Sequence, residues 1–158
     1  MPDGCEHLKS LLEASPDAVL VALIDGPDAG RIIAANEAAA RAHGYSLYEL
    51  VGLRFEDLHP AGAAPRVHAL MAEVRARGSH RFDVLHRRKD GSTFPLEISA
   101  RVTPIGGRRC VIAFNRDLTE RVEAQHALAA GKLQLELAAS AGDVGLWDWD
   151  VVTGRVFY

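Results

Sequence analysis

Seven histidines, two cysteines and one Asp-Leu-Thr run are the parts of this 158-residue chain whose residue types could do chemistry. Histidine and cysteine hold metals or move protons when the fold groups them. Here the spacing does not group them. Cys5 and Cys110 are far apart and in no metal or redox pattern. His80 and His86 share the parity of one strand, yet six residues of strand span roughly 20 Å, too far to grip one ion. No metal site is expected. A glycine-rich phosphate loop, an H-E-x-x-H helix, a G-x-S-x-G elbow and clustered carboxylates are all missing from the sequence, so no enzyme is expected either. Asp117-Leu118-Thr119 lies in "RDLTER", between the apolar run Cys110–Phe114 and a long polar stretch. Short hydrogen-bonding side chains at such a place satisfy the free amides of a new helix. Thr119 and its neighbours are expected to cap that helix, with Glu120 in its first turn where the dipole favours a negative charge.

Those residues need a scaffold. Cys5, Leu8, Leu11 and Leu12 recur at helical spacing and predict a helix over 4–14, stopped by Ser15-Pro16-Asp17. "AVLVALID" (18–25) and "RIIAA" (31–35) read as strands of a hairpin around the turn cluster 26–30. Asn36 reads as the N-cap of "EAAARAH" and Gly44 as its left-handed stop. Ser46 and Glu49 form a capping box opening a short helix that Gly52 ends. Residues 60–65 read as loop. Val67, Leu70, Met71 and Val74 share one face of a helix running to Arg77, with Gly78 beyond it.

The period then changes. Residues 80–88 read as a strand, and Asp90-Gly91 as a tight turn. Phe94, Leu96, Ile98, Ala100 and Val102 alternate with polar neighbours, so one face of the next strand is buried and one is wet. Pro95 has no backbone donor, so its amide position should face solvent or an edge. Gly106-Gly107 turns into a last strand over 108–116. The order predicts an α+β domain: a five-stranded antiparallel sheet with helices inserted after the second strand, plus N-terminal and C-terminal helices. Any small ligand would lie between sheet and helices. Its wall would be Phe55, Leu58, Val67, Leu70, Met71, Phe82, Leu96, Ile98 and Asn115, the apolar or convergent polar positions that face inward.

Hydrophobic residues make up 48% of the chain, charged residues 25%, and the net charge is −3. That composition is ordinary for a globular protein and supplies no basic field for nucleic acid or anionic lipid. The N-terminus has no signal-peptide run, and no stretch reaches the roughly 18 apolar residues of a membrane span. A reduced, cytoplasmic setting is expected, with any membrane anchor of a parent protein outside this chain.

Taken together, "AAARAHGYSLYELVG" after Asn36, then "RRKDGSTFPLEIS", then "VIAFNRDLTER" resemble a PAS domain, the sensor module of bacterial signalling proteins. The resemblance runs from about Leu11 to Arg121. Asn36, Gly44, Tyr45, Gly52, Asp90 and Gly91 carry its motifs. Each also has a local reading, as a cap, a turn or a positive-φ position. The resemblance implies a non-catalytic regulator of an output domain outside the chain, such as a histidine kinase or a cyclic-dinucleotide enzyme. It makes Asp117, Thr119, Glu120 and Arg121 the junction that couples sheet to signalling helix. His126 in that helix lacks the surroundings of a kinase phosphoacceptor and should face solvent. Flavin-binding light sensors of the family carry their reactive cysteine where this chain has Phe55, which excludes cysteinyl-flavin chemistry. Asn115 matches their flavin-contacting amide, though a buried water or backbone partner is the expected use. Haem-binding members point to His68 as axial ligand. Aligned on Gly78 it falls one position from theirs, about 100° around a helix, so haem is not the expected cofactor. A purely structural dimerisation scaffold is the remaining alternative.

The sequence also echoes itself. "EASPDAVLVALIDGPDAGRII" (13–33) is repeated in outline by "AASAGDVGLWDWDVVTGRVF" (138–157). Four segments are expected: a cap helix over 1–14, the domain over 15–118, a linker helix over 119–141, and the start of a second PAS domain over 142–158. Leu128, Gly131, Leu135 and Ala138 fall at heptad-like spacing, which suggests a homodimer through the linker helix. Trp147 and Trp149 would share one strand face and pack on a sheet.

Overall fold

The computed structural model describes residues 3–141, 148–150 and 155–157. It falls into two units, Met1–Thr119 and Glu120–Tyr158.

The first unit is an antiparallel sheet with most of its helices on the inner face and one on the opposite face. Its elements are α1 (Asp3–Glu13), β1 (Ala18–Leu23), β2 (Ile32–Ala35), α2 (Glu37–His43), α3 (Leu47–Leu50), a 3-10 helix (Phe55–Leu58), α4 (Ala64–Arg77), β3 (Ser79–Arg87), β4 (Thr93–Ile105) and β5 (Arg108–Asp117). Strand order is β2-β1-β5-β4-β3. The sequence order and the inserted helices are those expected. β1 lies at the interior of the sheet, and both of its faces are covered. Ala18, Leu20 and Ala22 join the main core with Leu50, Leu58, Val74, Phe94 and Leu96. Val19, Val21 and Leu23 pack on the opposite face with Leu12 of α1 and Cys110. Cys110 is thus a buried packing residue, and burial pushes its thiol up. β4 shows the alternation its sequence predicts, with Phe94, Leu96, Ile98 and Ala100 buried.

One expectation needs correction, and another is met in a different way from a strand edge. Pro65 is not loop: it stands in the first turn of α4, where a missing amide donor costs nothing. Pro95 does not lie on an edge strand. β4 is internal, but β5 ends at Asp117, opposite Leu96. The Pro95 carbonyl accepts from Leu118 N at 2.9 Å, so its donor-free nitrogen faces the point where the ladder runs out.

The turns fix the register. Asn36 Oδ1 accepts from Ala39 N, and Gly44 ends α2 at φ 74°. The Ser46–Glu49 capping box forms, and Gly78 stops α4 in the left-handed region. Asp90 Oδ1 accepts from Ser92 N and Oγ in the β3–β4 hairpin. Tyr45 packs half-buried against the core.

The second unit holds α5 (Thr119–Ala141), which begins at the last residue of the first unit, and a two-stranded ladder of β6 (Asp148–Asp150) and β7 (Arg155–Phe157). No side chain of α5 is buried, and His126 is exposed as expected. Trp147 lies outside the described residues.

Candidate functional site

A cavity of about 30 Å³ lies against the inner face of the sheet. Seven of the nine predicted wall residues line it: Phe55, Val67, Leu70, Met71, Phe82, Ile98 and Asn115. Leu58 and Leu96 do not. Both are fully buried in the core beside it, because their inward direction is spent on packing. Leu20, Ala100, Val111 and Ala113 complete the apolar wall, and so do two residues that no sequence signal indicated, His59 and His86.

Three elements deliver a histidine cluster to one end of this core. His43 closes α2, His59 follows the 3-10 helix, and His86 sits one residue before the end of β3. All three are buried. His43 Nε2 is 2.8 Å from His86 Nδ1, and the His59 and His86 rings stack edge to face at 4.5 Å. Phe94 closes the cluster, its ring 5.3 Å from that of His43. Burial is the main cause that lowers all three pKa values, most of all for His86. Around the cluster, Arg88 also opposes a charge on His43, while Asp117 favours it, and Glu56 favours one on His59. The imidazoles are therefore neutral near pH 7. Among the described residues no group of three His, Cys, Asp or Glu is arranged to hold a metal. The His43 nitrogens are both engaged, Nδ1 with Ala39 O and Nε2 with His86.

Asn115 sits 3% exposed on the same wall, and neither Nδ2 nor Oδ1 has a protein partner. The backbone partner expected for it is not there. Asn36, equally buried, is fully engaged: it accepts from Val19 N and Ala39 N, and donates to Leu12 O and Asp17 O.

His68 lies elsewhere. Its side chain is 67% exposed, and Nε2 is 3.3 Å from Glu56 Oε1. It does not line the cavity, whose volume is about a tenth of the smallest usual cofactor pocket. The residues present do not fit haem.

The strand-to-helix junction corrects one expectation. Thr119 does not cap: it donates, through both N and Oγ1, to Asp117 Oδ1. The carboxylate is the capping group, because it can accept twice at one oxygen. Its Oδ2 is 4.0 Å from Arg88 NH2. Arg88 donates to Ala42 O at 3.1 Å, and its guanidinium lies 4.0 Å over the Phe94 ring. Lys89 N donates to His43 O, and Lys89 Nζ reaches Glu49, whose carboxyl is held at about 2 by that bond and the Ser46 amide. Glu120 and Arg121 are exposed.

A sequence profile described as the PAS fold matches residues 12–123. The chain belongs to this family. It is 34% identical over 136 residues to the sensor protein FixL of Bradyrhizobium diazoefficiens, covering 83% of this chain and 26% of that one. It is 31% identical over 110 residues to a methyl sulfide methyltransferase-associated sensor of Methanosarcina acetivorans, covering 70% of this chain and 11% of that one. The chain thus spans only about a quarter of one of these relatives and about a tenth of the other. Among solved structures, the PAS domain of an HTR-like protein from Haloarcula marismortui superposes with a TM-score of 0.60 at 26% identity, over 72% of this chain and 90% of that one. A PAS domain from Colwellia psychrerythraea gives 0.63 at 21%, over 75% and 99%. This PAS domain resembles sensor proteins, and among its described residues no helix is long and apolar enough to cross a membrane.

Proposed function

We propose that this PAS domain is a non-catalytic sensory module that reads occupancy of its inner cavity and passes the result through Asp117 to α5 and an output domain beyond this chain. One observation carries the reading. Asp117 holds the start of α5 through Thr119 and also faces Arg88, which is anchored on α2 and on the Phe94 ring beside the histidine cluster. A displacement of Phe94 or of the α2 end alters the geometry Arg88 presents to Asp117. A few hydrogen bonds of roughly 1 kcal/mol each suffice for a joint with two populated states. The wall residues that matter are those of the predicted set, with Leu58 and Leu96 acting as packing behind it.

The output is a histidine kinase or a cyclic-dinucleotide enzyme, and the setting is cytoplasmic. The partner is a second copy of this chain. Leu128 and Leu135 of the heptad-like seam are 77% and 67% exposed, surface that a pairing helix would bury. Leu133 and Leu137, also exposed, form a further apolar pair on the opposite side of the helix and are not part of that seam. The C-terminal strands are read as the opening of a second PAS domain.

The test is Arg88→Met in the protein that carries this domain, with output activity measured against stimulus. Arg88→Met keeps the packing over Phe94 and removes the charge. Output that no longer follows the stimulus, in a protein of near-normal stability, supports the reading. A normal response refutes it.

A further inference from the structure

The histidine relay leaves one nitrogen whose role is decided by the others. His43 Nδ1 lies 2.8 Å from Ala39 O, which can only accept, so this nitrogen carries the proton. A neutral His43 then has a bare Nε2. That atom is 2.8 Å from His86 Nδ1, which must donate to it. The only nitrogen left on His86 is Nε2, and it has no proton. It is buried without a partner, on a residue 1% exposed that lines the cavity. The same logic applies to His59, whose Nδ1–H donates to Phe55 O at 2.7 Å and leaves an accepting Nε2. Asn115 adds an unpaired Oδ1 and Nδ2. Apart from these groups the wall is apolar.

From this arrangement we infer that the cavity takes a small uncharged molecule with a hydrogen-bond donor, such as a short alcohol, and that His86 Nε2 accepts that hydrogen bond. This deepens the sensory reading and rests on it. An acceptor-only ligand finds a donor only at Asn115 Nδ2 and meets the His86 lone pair with a lone pair. To serve it, His86 would have to become a cation inside an apolar core, or the relay would have to give up the Ala39 bond. A diatomic gas brings no donor. A cation or a carboxylate would be stripped of water against a wall with no opposite charge. Size sets the other limit: about 30 Å³ is room for a few heavy atoms. Entry would require movement of His59, Val67 and Leu70, which also line an open groove of about 380 Å³. Those side chains are what separates cavity from solvent.

2-Propanol and acetone test the inference, because they share a shape and differ in the donor. The 158-residue chain, labelled with 15N, would be titrated with each at neutral pH or slightly above. Long-range proton–nitrogen spectra would follow the imidazoles, and the Met71 and Ile98 methyls would report cavity entry. The expected result is a proton-free His86 Nε2 whose resonance moves saturably with 2-propanol. Acetone should bind about tenfold more weakly or worse, and leave that resonance in place. His86→Phe should erase the preference, and the wild-type comparison stands alone if that variant does not fold. Equal binding of both probes, with methyl shifts but no response at Nε2, overturns the donor rule and leaves the cavity a ligand site. No methyl response to either probe removes ligand binding as well, while the Arg88–Asp117 coupling stays open to its own test. A His86 Nε2 found protonated, or held by a water that 2-propanol does not displace, also overturns the inference.

Discussion

Acid should loosen this domain as soon as the pH falls below the ordinary histidine range, and the histidine cluster sets by how much. His43, His59 and His86 have folded-state pKa values below their ordinary value, chiefly through burial. Below about pH 6.5 the unfolded chain therefore binds more protons than the folded one. Their contribution is present in full above that pH and is lost as pH falls beneath it. An imidazole that stays neutral in the fold loses about 2 kcal/mol between pH 7 and pH 5. His86, the most deeply buried, should supply that amount by itself. His43 and His59 add to the loss in the same direction, and the roughly 5–15 kcal/mol that holds a domain together makes even the His86 share a large one. Glu49, held at about 2, is not in play in this window. Urea unfolding at pH 7, 6 and 5, at constant ionic strength and followed by far-UV circular dichroism, measures the loss. His86→Leu should reduce it by about 2 kcal/mol. Equal midpoints at pH 7 and pH 5, or the same acid loss in His86→Leu, would refute the assignment of neutral buried imidazoles.

Asp117→Ala removes the acceptor for Thr119 N and Oγ1 and should cost about 0.5–2 kcal/mol by thermal unfolding, the range for a lost cap. In the parent protein it should also uncouple output from stimulus, and normal signalling would reduce the junction to a cap. The full chain should scatter light as a dimer and a chain ending at Arg121 as a monomer. A monomeric full chain, or an equally stable dimer after truncation, would end the helix-pairing reading. Asn36→Ala should be among the most damaging single changes, at several kcal/mol, because it leaves Val19 N and Leu12 O without their partner inside the core. Asn115→Leu, at the same burial, should be neutral or stabilising in the same denaturation assay.

Elements were legible in this sequence because their signals are local. The Asn36 and Ser46 caps, the Asp90-Gly91 turn and the alternation from Phe94 to Val102 each depend on a few neighbouring residues. The inward positions followed from that periodicity, which is why seven of nine wall residues were within reach. Leu58 and Leu96 show the limit: periodicity gives the face of an element but not which inward side chain meets space and which meets another side chain. Pro95 shows another. Its amide needed a place with no acceptor, and a strand edge is the common solution, but the length of β5 decided the matter. The histidine cluster was invisible for a stronger reason. His43 and His86, the pair in closest contact, are 43 residues apart on different elements, and His59 follows a third. Spacing rules find ligands on one helix or hairpin, whereas this site exists only once β3 lies against α2.

The two buried asparagines separate what the fold requires from what it tolerates. Asn36 makes contacts that an apolar residue could not replace: it caps α2 and ties that helix to β1 and to the end of α1. Its polarity is structural. Asn115 and His86 Nε2 bring polar atoms into the core and satisfy none of them with protein. An unpaired buried group of this kind costs about 1–3 kcal/mol, and an apolar side chain of similar volume would avoid that cost. Both groups line the cavity, where a hydrogen-bonding occupant restores what burial removed. On the proposed reading, occupancy changes the energy of the fold at this wall. His86 is bonded to His43 at the end of α2, where Arg88 also docks on its way to Asp117. A domain that senses needs a place where its own packing leaves stability incomplete, adjacent to a joint that can register completion. On the reading proposed for this chain, those two places share the end of α2.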